Sequence, residues 1–552
     1  MTKYGFVIDH RRCIGCHACT VACKAENLVP VGKFRTWVKY IEKGEFPHTR
    51  RYFTVERCQH CEDAPCVEIC PTVALYKRRD GIVDFDPARC IGCKACMQAC
   101  PYDALYIDPE TNTAAKCHYC AHRTDRGLLP ACVIVCPTKA IIAGDLEDPA
   151  SEIARTVARE QVQVRRPDQG TRPQVFYVGA DEMIITPGLA AQPSMYMWSQ
   201  VGPGDVALEP KGALFGAPGT PRSAAQATAE RGRADGPGGG GRVVLSDSGQ
   251  LQLEPHDQST TKAVTVYDVP HPKPWGWKVA SYLWTKSIGA GVLAVAGPLL
   301  ATGLVAGQAI SLGAAFISLL FIFLTSVLLV WDLKRPERFW RVVLTPNLRS
   351  WLPWGAYILS AFSLAGGLWF LAELLGQRGI VWILLWPTVL LGLATAGYSA
   401  FLFGQAEGRD FWQSPLLLPQ LLGAAVLAGA ASLVLLAPLL EPANAALRDA
   451  LHLALLVGVL FTLGVGLAEL FSIHANKDVA AAARWMTHGP RAVWFWGGYV
   501  LVGAVLPVAL LAGVLGAGQP PAFGAVAAAA ALVGLWFYED AWVRAGQSVA
   551  MS

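Results

Sequence analysis

Arg12–Cys23 reads RCIGCHACTVAC and Arg89–Cys100 reads RCIGCKACMQAC, with nine of twelve positions identical. Each copy spaces four cysteines at gaps of two, two and three residues. Two further runs hold the other cysteines. Cys58, Cys61, Cys66 and Cys70 have four residues in the middle gap; Cys117, Cys120, Cys132 and Cys136 have eleven. All sixteen cysteines therefore lie between Cys13 and Cys136, with none in the following 416 residues. Four runs of four with no remainder describe four sites, each with four thiolates.

The chemistry of those sites follows from spacing and compartment. MTKYGFVIDHRRC at the N-terminus has no apolar core long enough for a secretory signal. Arg11 and Arg12 are followed by Cys13 and polar residues where a twin-arginine signal needs a hydrophobic segment. The sequence thus predicts no export signal of its own and a reducing compartment, which disfavours disulfides. Paired C-x-x-C also builds zinc sites, but zinc needs neither a third cysteine two residues on nor a trailing proline. Pro71, Pro101 and Pro137 end three of the runs, and Lys24 stands after the first. The spacing C-x2-C-x2-C-x3-C-P is that of two-cluster ferredoxins, whose fourth cysteine ligates the neighbouring cluster. Gly15 and Gly92 suit the tight loop around such a cluster because glycine tolerates positive φ.

Four [4Fe–4S] clusters are the resulting expectation. His17, His60, His118 and His122 are read as surface or supporting residues, since thiolates already fill every cubane. Arg12, Lys24, Arg57, Arg89 and Lys94 either offset cluster charge or solvate the surface. Spacing alone allows run one to share clusters with run three or with run four. The segments CIGCHACTVACKAEN, CQHCEDAPCVEICPT, CIGCKACMQACPYDA, KCHYCAHR and PACVIVCPTKA resemble the four-cluster subunits of polysulfide, thiosulfate and related molybdenum oxidoreductases. The resemblance implies an α+β ferredoxin-like domain over 1–186 in which outer runs pair and inner runs pair. One cluster would take Cys13, Cys16, Cys19 and Cys136; a second Cys23, Cys117, Cys120 and Cys132. A third would take Cys58, Cys61, Cys66 and Cys100; the last Cys70, Cys90, Cys93 and Cys96. The four would form a line that carries electrons.

From 187 to 262 the composition turns to Gly, Ala, Pro, Ser and Gln, including RADGPGGGGR, which predicts a flexible linker. Those glycines lack the Lys-Ser or Lys-Thr of a phosphate loop. Residues 263–552 are predicted as an all-α membrane domain. Eight apolar stretches there match the length needed to cross roughly 30 Å of hydrocarbon. Their expected bounds are 281–305, 310–332, 353–375, 380–403, 415–437, 449–472, 492–515 and 520–541. The connections on the side of both termini carry ten basic residues: Lys334, Arg335, Arg338, Arg341, Arg349, Arg409, Lys477, Arg484, Arg491 and Arg544. The opposite side has Arg378 and Arg448. That asymmetry predicts a cytoplasmic cluster domain on a cell inner membrane. A formal net charge of +4 without an aromatic–basic patch argues against nucleic acid as a partner.

DLKRPERFWRVVLTPNLRSWLPWGAYIL, GYSAFLFGQ and WVRAGQSV resemble NrfD-type membrane subunits, which include the quinone-binding anchor of polysulfide reductase. The order implies a fusion of two proteins usually made separately. Several relatives carry the cluster subunit outside the membrane, exported with a signal-bearing partner, which is the alternative topology. Ionisable groups in apolar segments tend to mark sites. Lys286, within the first helix, and Tyr398 lead the candidates for a menaquinone or ubiquinone headgroup, with Glu469 beside them. Asp332, Gln405 and Glu539 fall near helix ends on the same side, and Glu373, His452 and Asp449 lie on the far side. The reading is an electron-transfer and anchor subunit between the quinone pool and a large molybdenum- or tungsten-pterin catalytic subunit. A proton-translocating module and an anchor without quinone chemistry are the rival readings.

Overall fold

The computed structural model describes residues 2–552 apart from 45–46, 187, 191–242, 246–250, 254–262, 306 and 518. The linker expected over 187–262 lies outside the described residues, save 188–190 and a short ladder pairing Val243–Leu245 with Leu251–Leu253.

The N-terminal part is α+β. Its main sheet is centred on Tyr4–Asp9, antiparallel to Ile141–Asp145 and parallel to Val175–Val178. Phe6, Val7 and Ile8 on that strand are fully buried, as an apolar run covered on both faces requires. A strand starts four residues after each proline that ends a cysteine run: Leu75 after Pro71, Leu105 after Pro101 and Ile141 after Pro137. The sequence repeat is thus a structural repeat of loop, helical turn and strand.

A second sheet pairs Thr36–Lys43 with Arg50–Arg57 and accepts Ala263–Tyr267 on its free edge. The polypeptide is therefore tied to the cluster domain ahead of its entry into the membrane. The tie is electrostatic as well as backbone. Trp37 Nε1 donates to Asp268 at 3.2 Å, Lys39 pairs with Asp268 at 3.2 Å, and His271 bridges Asp268 and Asp103. Burial alone would lower the His271 pKa, but the two carboxylates outweigh it and raise it to about 10.

Among the described residues, eight apolar helices follow: Trp277–Ala301, Gln308–Asp332, Trp351–Leu374, Arg378–Gly404, Leu417–Leu440, Ala445–Phe471, Trp494–Ala517 and Ala522–Ala545. Each bound falls within four residues of the sequence expectation. The seventh starts in π form over Trp494–Val505 before turning α. Between like-apolar helices there is little hydrophobic drive, so close approach through small residues matters. A Cβ on Gly291 would lie 1.9 Å from Ala425 O, and one on Gly534 would lie 2.1 Å from Gly503 Cα. The first and fifth helices, and the seventh and eighth, touch backbone to backbone at these glycines.

Removing His271 takes the ion pair from Asp103 and leaves buried Asp268 paired with Lys39 alone among the described residues. His271→Leu should cost about 3 kcal/mol of stability near neutral pH, as breaking a buried ion pair does. A raised histidine pKa contributes fully below about 6.5 and is lost as pH climbs to about 10. Thermal unfolding of wild type and variant in detergent should accordingly show a gap at pH 6 that narrows towards pH 10.

Candidate functional site

The cysteines gather into four groups. Cys13, Cys16 and Cys19 enclose a cavity with Cys136, against Val38 and Val55. Cys70 joins Cys90, Cys93 and Cys96 around another, against Leu75 and Phe85. Cys23 lies in electrostatic reach of Cys117, Cys120 and Cys132, and Cys66 in reach of Cys58, Cys61 and Cys100. Run one thus meets run four, and run two meets run three. Neighbouring groups lie in electrostatic reach of one another in one order: Cys19 with Cys132, Cys58 with Cys117, and Cys96 with Cys66. The quartets form a row that begins at Cys16, the exposed cysteine, and ends at the membrane domain.

Local backbone explains how the loops hold this arrangement. Gly15 and Gly92 both adopt φ of 68°, and His17 and Lys94, two residues on, are also left-handed at 59° and 65°. The turn aims Gly92 N–H at Cys90 Sγ at 3.4 Å, and the neighbouring strand ends add Ala114 N–H to Cys90 Sγ at 3.4 Å and Ala140 N–H to Cys136 Sγ at 3.2 Å. All sixteen thiols are free of disulfides. Burial pushes the Cys19 thiol up to about 11 and the Cys93 and Cys100 thiols up to about 12. As bare thiols they would stay protonated and inert; a cationic core is needed to ionise them. Among the described residues no three His, Cys, Asp or Glu side chains converge on one ion. Thiols ringing a cavity, with N–H groups aimed at sulfur, fit a polynuclear iron–sulfur core instead.

The histidines have other partners. His60 Nδ1 accepts from Val83 N–H at 3.2 Å, His118 meets Arg35 at 3.2 Å, and His122 meets Glu26 at 2.7 Å. His17 packs on Tyr40 and Tyr267.

The Cys70–Cys90–Cys93–Cys96 quartet is gripped by the membrane domain through its carbonyls. Lys334 and Arg335 N–H donate to Gly92 O and Ile91 O at 3.2 and 3.1 Å. Arg338 donates to Cys90 O at 3.0 Å, Asn347 to Cys70 O at 2.9 Å and Ser350 to Ile69 O at 2.8 Å. Trp275 Nε1 donates to Cys93 O at 3.4 Å, and Lys94 pairs with Asp332 at 2.7 Å. Gly408 N–H donates to Ala99 O at 3.1 Å, and a Cβ there would lie 2.7 Å from Cys100 O. One apolar core runs from Cys90 and Cys96 through Tyr282 and Phe403 to Tyr538.

Lys286 is the tenth residue of its helix and fully buried. Its ammonium donates to Ala396 O at 3.0 Å and Ser399 Oγ at 2.6 Å and stands 4.8 Å from the Tyr398 ring. Gly355 makes room for that ring, since a Cβ would lie 2.2 Å from Tyr398 Cε2. Glu539, with both oxygens unpartnered, and Tyr282 lie in electrostatic reach of this group. Lys286 and Tyr398 therefore meet. Glu469 does not join them directly: it accepts from Tyr538 OH at 3.2 Å, beside Glu539 in sequence. Asp332 is taken by Lys94, and Gln405 by Trp351 N–H at 2.8 Å and Arg349 O at 2.7 Å. Glu373 and His452 are buried on the far side, each with one unpartnered atom, and Asp449 is exposed. Tyr282 and Ser399 escaped the sequence reading because uncharged polar residues in apolar helices carry little signal.

Residues 12–75 and 49–146 match families described as 4Fe-4S dicluster domains, and residues 265–548 match the family described as Polysulphide reductase, NrfD. A tetrathionate reductase subunit of Salmonella typhimurium is 46% identical over 204 residues, 36% of this chain and 81% of that protein. A polysulfide reductase polypeptide of Wolinella succinogenes is 42% identical over 181 residues, 32% of this chain and 94% of that protein. The thiosulfate reductase electron transfer subunit PhsB of Salmonella typhi is 47% identical over 163 residues, 29% of this chain and 84% of that protein.

The grip at Gly408 yields a test. Gly408→Ala should push the connection off Cys100 and speed amide exchange at residues 408 and 335 by about tenfold, ~1.4 kcal/mol of local opening. Gly404→Ala, which meets nothing within 4 Å, should leave both unchanged. Hydrogen exchange read by mass spectrometry makes the comparison.

Proposed function

Because this chain is a member of the NrfD polysulphide reductase family, with 4Fe-4S dicluster domains fused ahead of its membrane helices, we propose that it links a membrane quinone to a separate reductase subunit. The continuous apolar core between Cys90, Cys96 and Tyr282 is the observation that carries this reading. It packs the last quartet and Tyr282, beside the Lys286 group, into one apolar cluster, with the hydrogen-bonded seam around it. [4Fe–4S] clusters supply one-electron carriers, and the residues that would hold them are the four quartets gathered above.

The protein's own groups supply the rest of the quinone site. Lys286 and the Tyr398 and Tyr282 hydroxyls are donors for quinone carbonyl oxygens. Glu539, unpartnered beside them, suits the role of proton carrier to those oxygens, and Glu469 with Tyr538 extends it towards the cluster-facing side. Burial makes these contacts count, because a charge-assisted hydrogen bond is stronger where water is excluded.

At the other end of the row, the segments that carry the first two quartets expose apolar side chains. Ile14, Val21, Leu28, Val31, Leu129 and Ile134 are 48% exposed or more, Val31 reaching 96%. An apolar patch of this kind supports docking of a partner. We assign it to the catalytic subunit, by kinship a molybdenum- or tungsten-pterin protein acting on polysulfide or a sulfur oxyanion. The basic residues on the cluster-facing connections support a cytoplasmic cluster domain.

Lys286→Leu should leave sixteen irons per chain and reduction by dithionite intact, while slowing menaquinol-driven bleaching of the cluster absorbance about 10- to 100-fold, the worth of one charged hydrogen bond. Unchanged bleaching would sink the Lys286 site. Leu28→Glu with Val31→Glu should release the catalytic subunit during purification at unchanged iron content; a complex that survives both places docking elsewhere.

A further inference from the structure

Two cations are buried completely inside the cluster domain, and among the described residues neither has an acidic partner. Arg57 and Lys116 are each 0% exposed. Arg57 ends the strand Arg50–Arg57 and lies 4.4 Å from the centre of the Phe6 ring. Its Nη1 donates to Cys132 Sγ at 3.4 Å, while Nε and Nη2 have no partner. The adjacent Glu56 is engaged by Arg165. Lys116 ends the strand Ala114–Lys116 and donates to Cys117 O at 2.9 Å and to Val83 O. Among the described residues no carboxylate forms an ion pair with either cation.

Their positions are not arbitrary. Arg57 lies in electrostatic reach of Cys132 and Cys117 on one side and of Cys19 on the other, between the first and second quartets. Lys116 lies beside Cys117 and in reach of Cys58 and Cys66, between the second and third. The other basic residues singled out from the sequence differ. Lys94 is neutralised by Asp332, Lys24 donates to Pro30 O at 3.1 Å, and Arg12 and Arg89 are exposed.

A buried charge without a counter-charge costs several kcal/mol, so folded proteins pair it. Among the described residues, the negative charge available on both sides of each cation is that of the thiolate quartets. A cubane held by four thiolates is net negative and gains one further negative charge on reduction. Neighbouring clusters in a low-dielectric interior therefore repel each other's electrons.

We propose that Arg57 and Lys116 are redox-tuning residues, one at each of the first two junctions of the row. Each stabilises the added electron on both neighbouring clusters and screens the repulsion between them. The step concerned is a one-electron reduction of a cluster by an external reductant; no bond forms or breaks, and neither cation gives up a proton. The second quartet, flanked by both cations, is the most strongly affected. Near the third junction, where Cys66 meets Cys96, the buried cations are held by other groups: Lys94 by Asp332, and Arg409, in reach of Cys100, by Gln98 and Val549 O. This inference rests on the iron–sulfur reading of the quartets.

The test is a potentiometric titration of the full-length protein in detergent, with dithionite as reductant and EPR as readout, alongside iron per chain. Arg57→Met and Lys116→Met remove charge at similar length; Arg57→Lys and Lys116→Arg retain it. Each Met variant should lower the reduced-to-oxidised ratio of two signals about tenfold at the wild-type midpoint, 59 mV for one electron. One signal, that of the second quartet, should move in both variants, and the charge-retaining variants should restore it. Sixteen irons with unmoved potentials would overturn the proposal. If a Met variant loses iron, recovery of iron and potential in the charge-retaining variant supports it, and failure to recover either overturns it. Wild-type protein without sixteen irons would instead overturn the cluster reading itself.

Discussion

The structure depends on the hydrogen bonds between the carbonyls around one cysteine quartet and the cluster-facing connections of the membrane domain. Carbonyls of Ile69, Cys70, Cys90, Ile91, Gly92, Cys93 and Ala99 are all used. A backbone carbonyl left without a donor in a buried interface is expensive, so a seam built on such groups is hard to slide. It also leaves the thiols themselves free for ligation. Position at this seam is therefore fixed by main chain on one side and mostly by connections between helices on the other, with Gly408 and Gly92 admitting contact that no larger residue permits.

That seam accounts for features that otherwise look separate. Asp332 ends the second helix as an acid because Lys94, a left-handed residue next to Cys93, needs a counter-charge in a nearly closed interface. The strand Ala263–Tyr267 reaches back to the cluster domain before Trp277 opens the first helix, so two attachments flank the entry into the membrane. Gln547 joins both halves: its amide accepts from Trp275 N–H at 3.1 Å and from Gln98 at 2.7 Å.

Much of this was legible in the sequence, for physical reasons. Cysteine spacing is dictated by the size of the group the loop encloses, so the runs announce themselves. Helices long enough to span hydrocarbon must be apolar throughout, so all eight were readable. The position of a polar residue along a helix is also legible, which placed Lys286 and Tyr398 at similar depth. Azimuth is not. Which neighbour a helix-end residue faces depends on packing of other helices, so Asp332 and Gln405 look equivalent to Glu539 in sequence but serve the seam and a helix cap. Lys116 was invisible for a related reason: beside a cysteine run, a lysine reads as solvated unless burial is known.

The basic residues carry a double meaning. Ten on the cluster-facing connections against two opposite read as a topological signal. Arg335 donates to Thr111 O at 2.7 Å, Arg338 to Pro87 O and Cys90 O, and Arg409 to Gln98 at 2.9 Å. Arg491 and Arg544 pair with Asp540. Half of the ten thus have structural work within the fold. A membrane protein that must bind a second domain through carbonyl oxygens needs donors on that face whichever side of the membrane it occupies, and arginine offers five. The charge asymmetry therefore follows from docking as well as insertion. The other five, Lys334, Arg341, Arg349, Lys477 and Arg484, are the basic side chains on that face from which topology is better read.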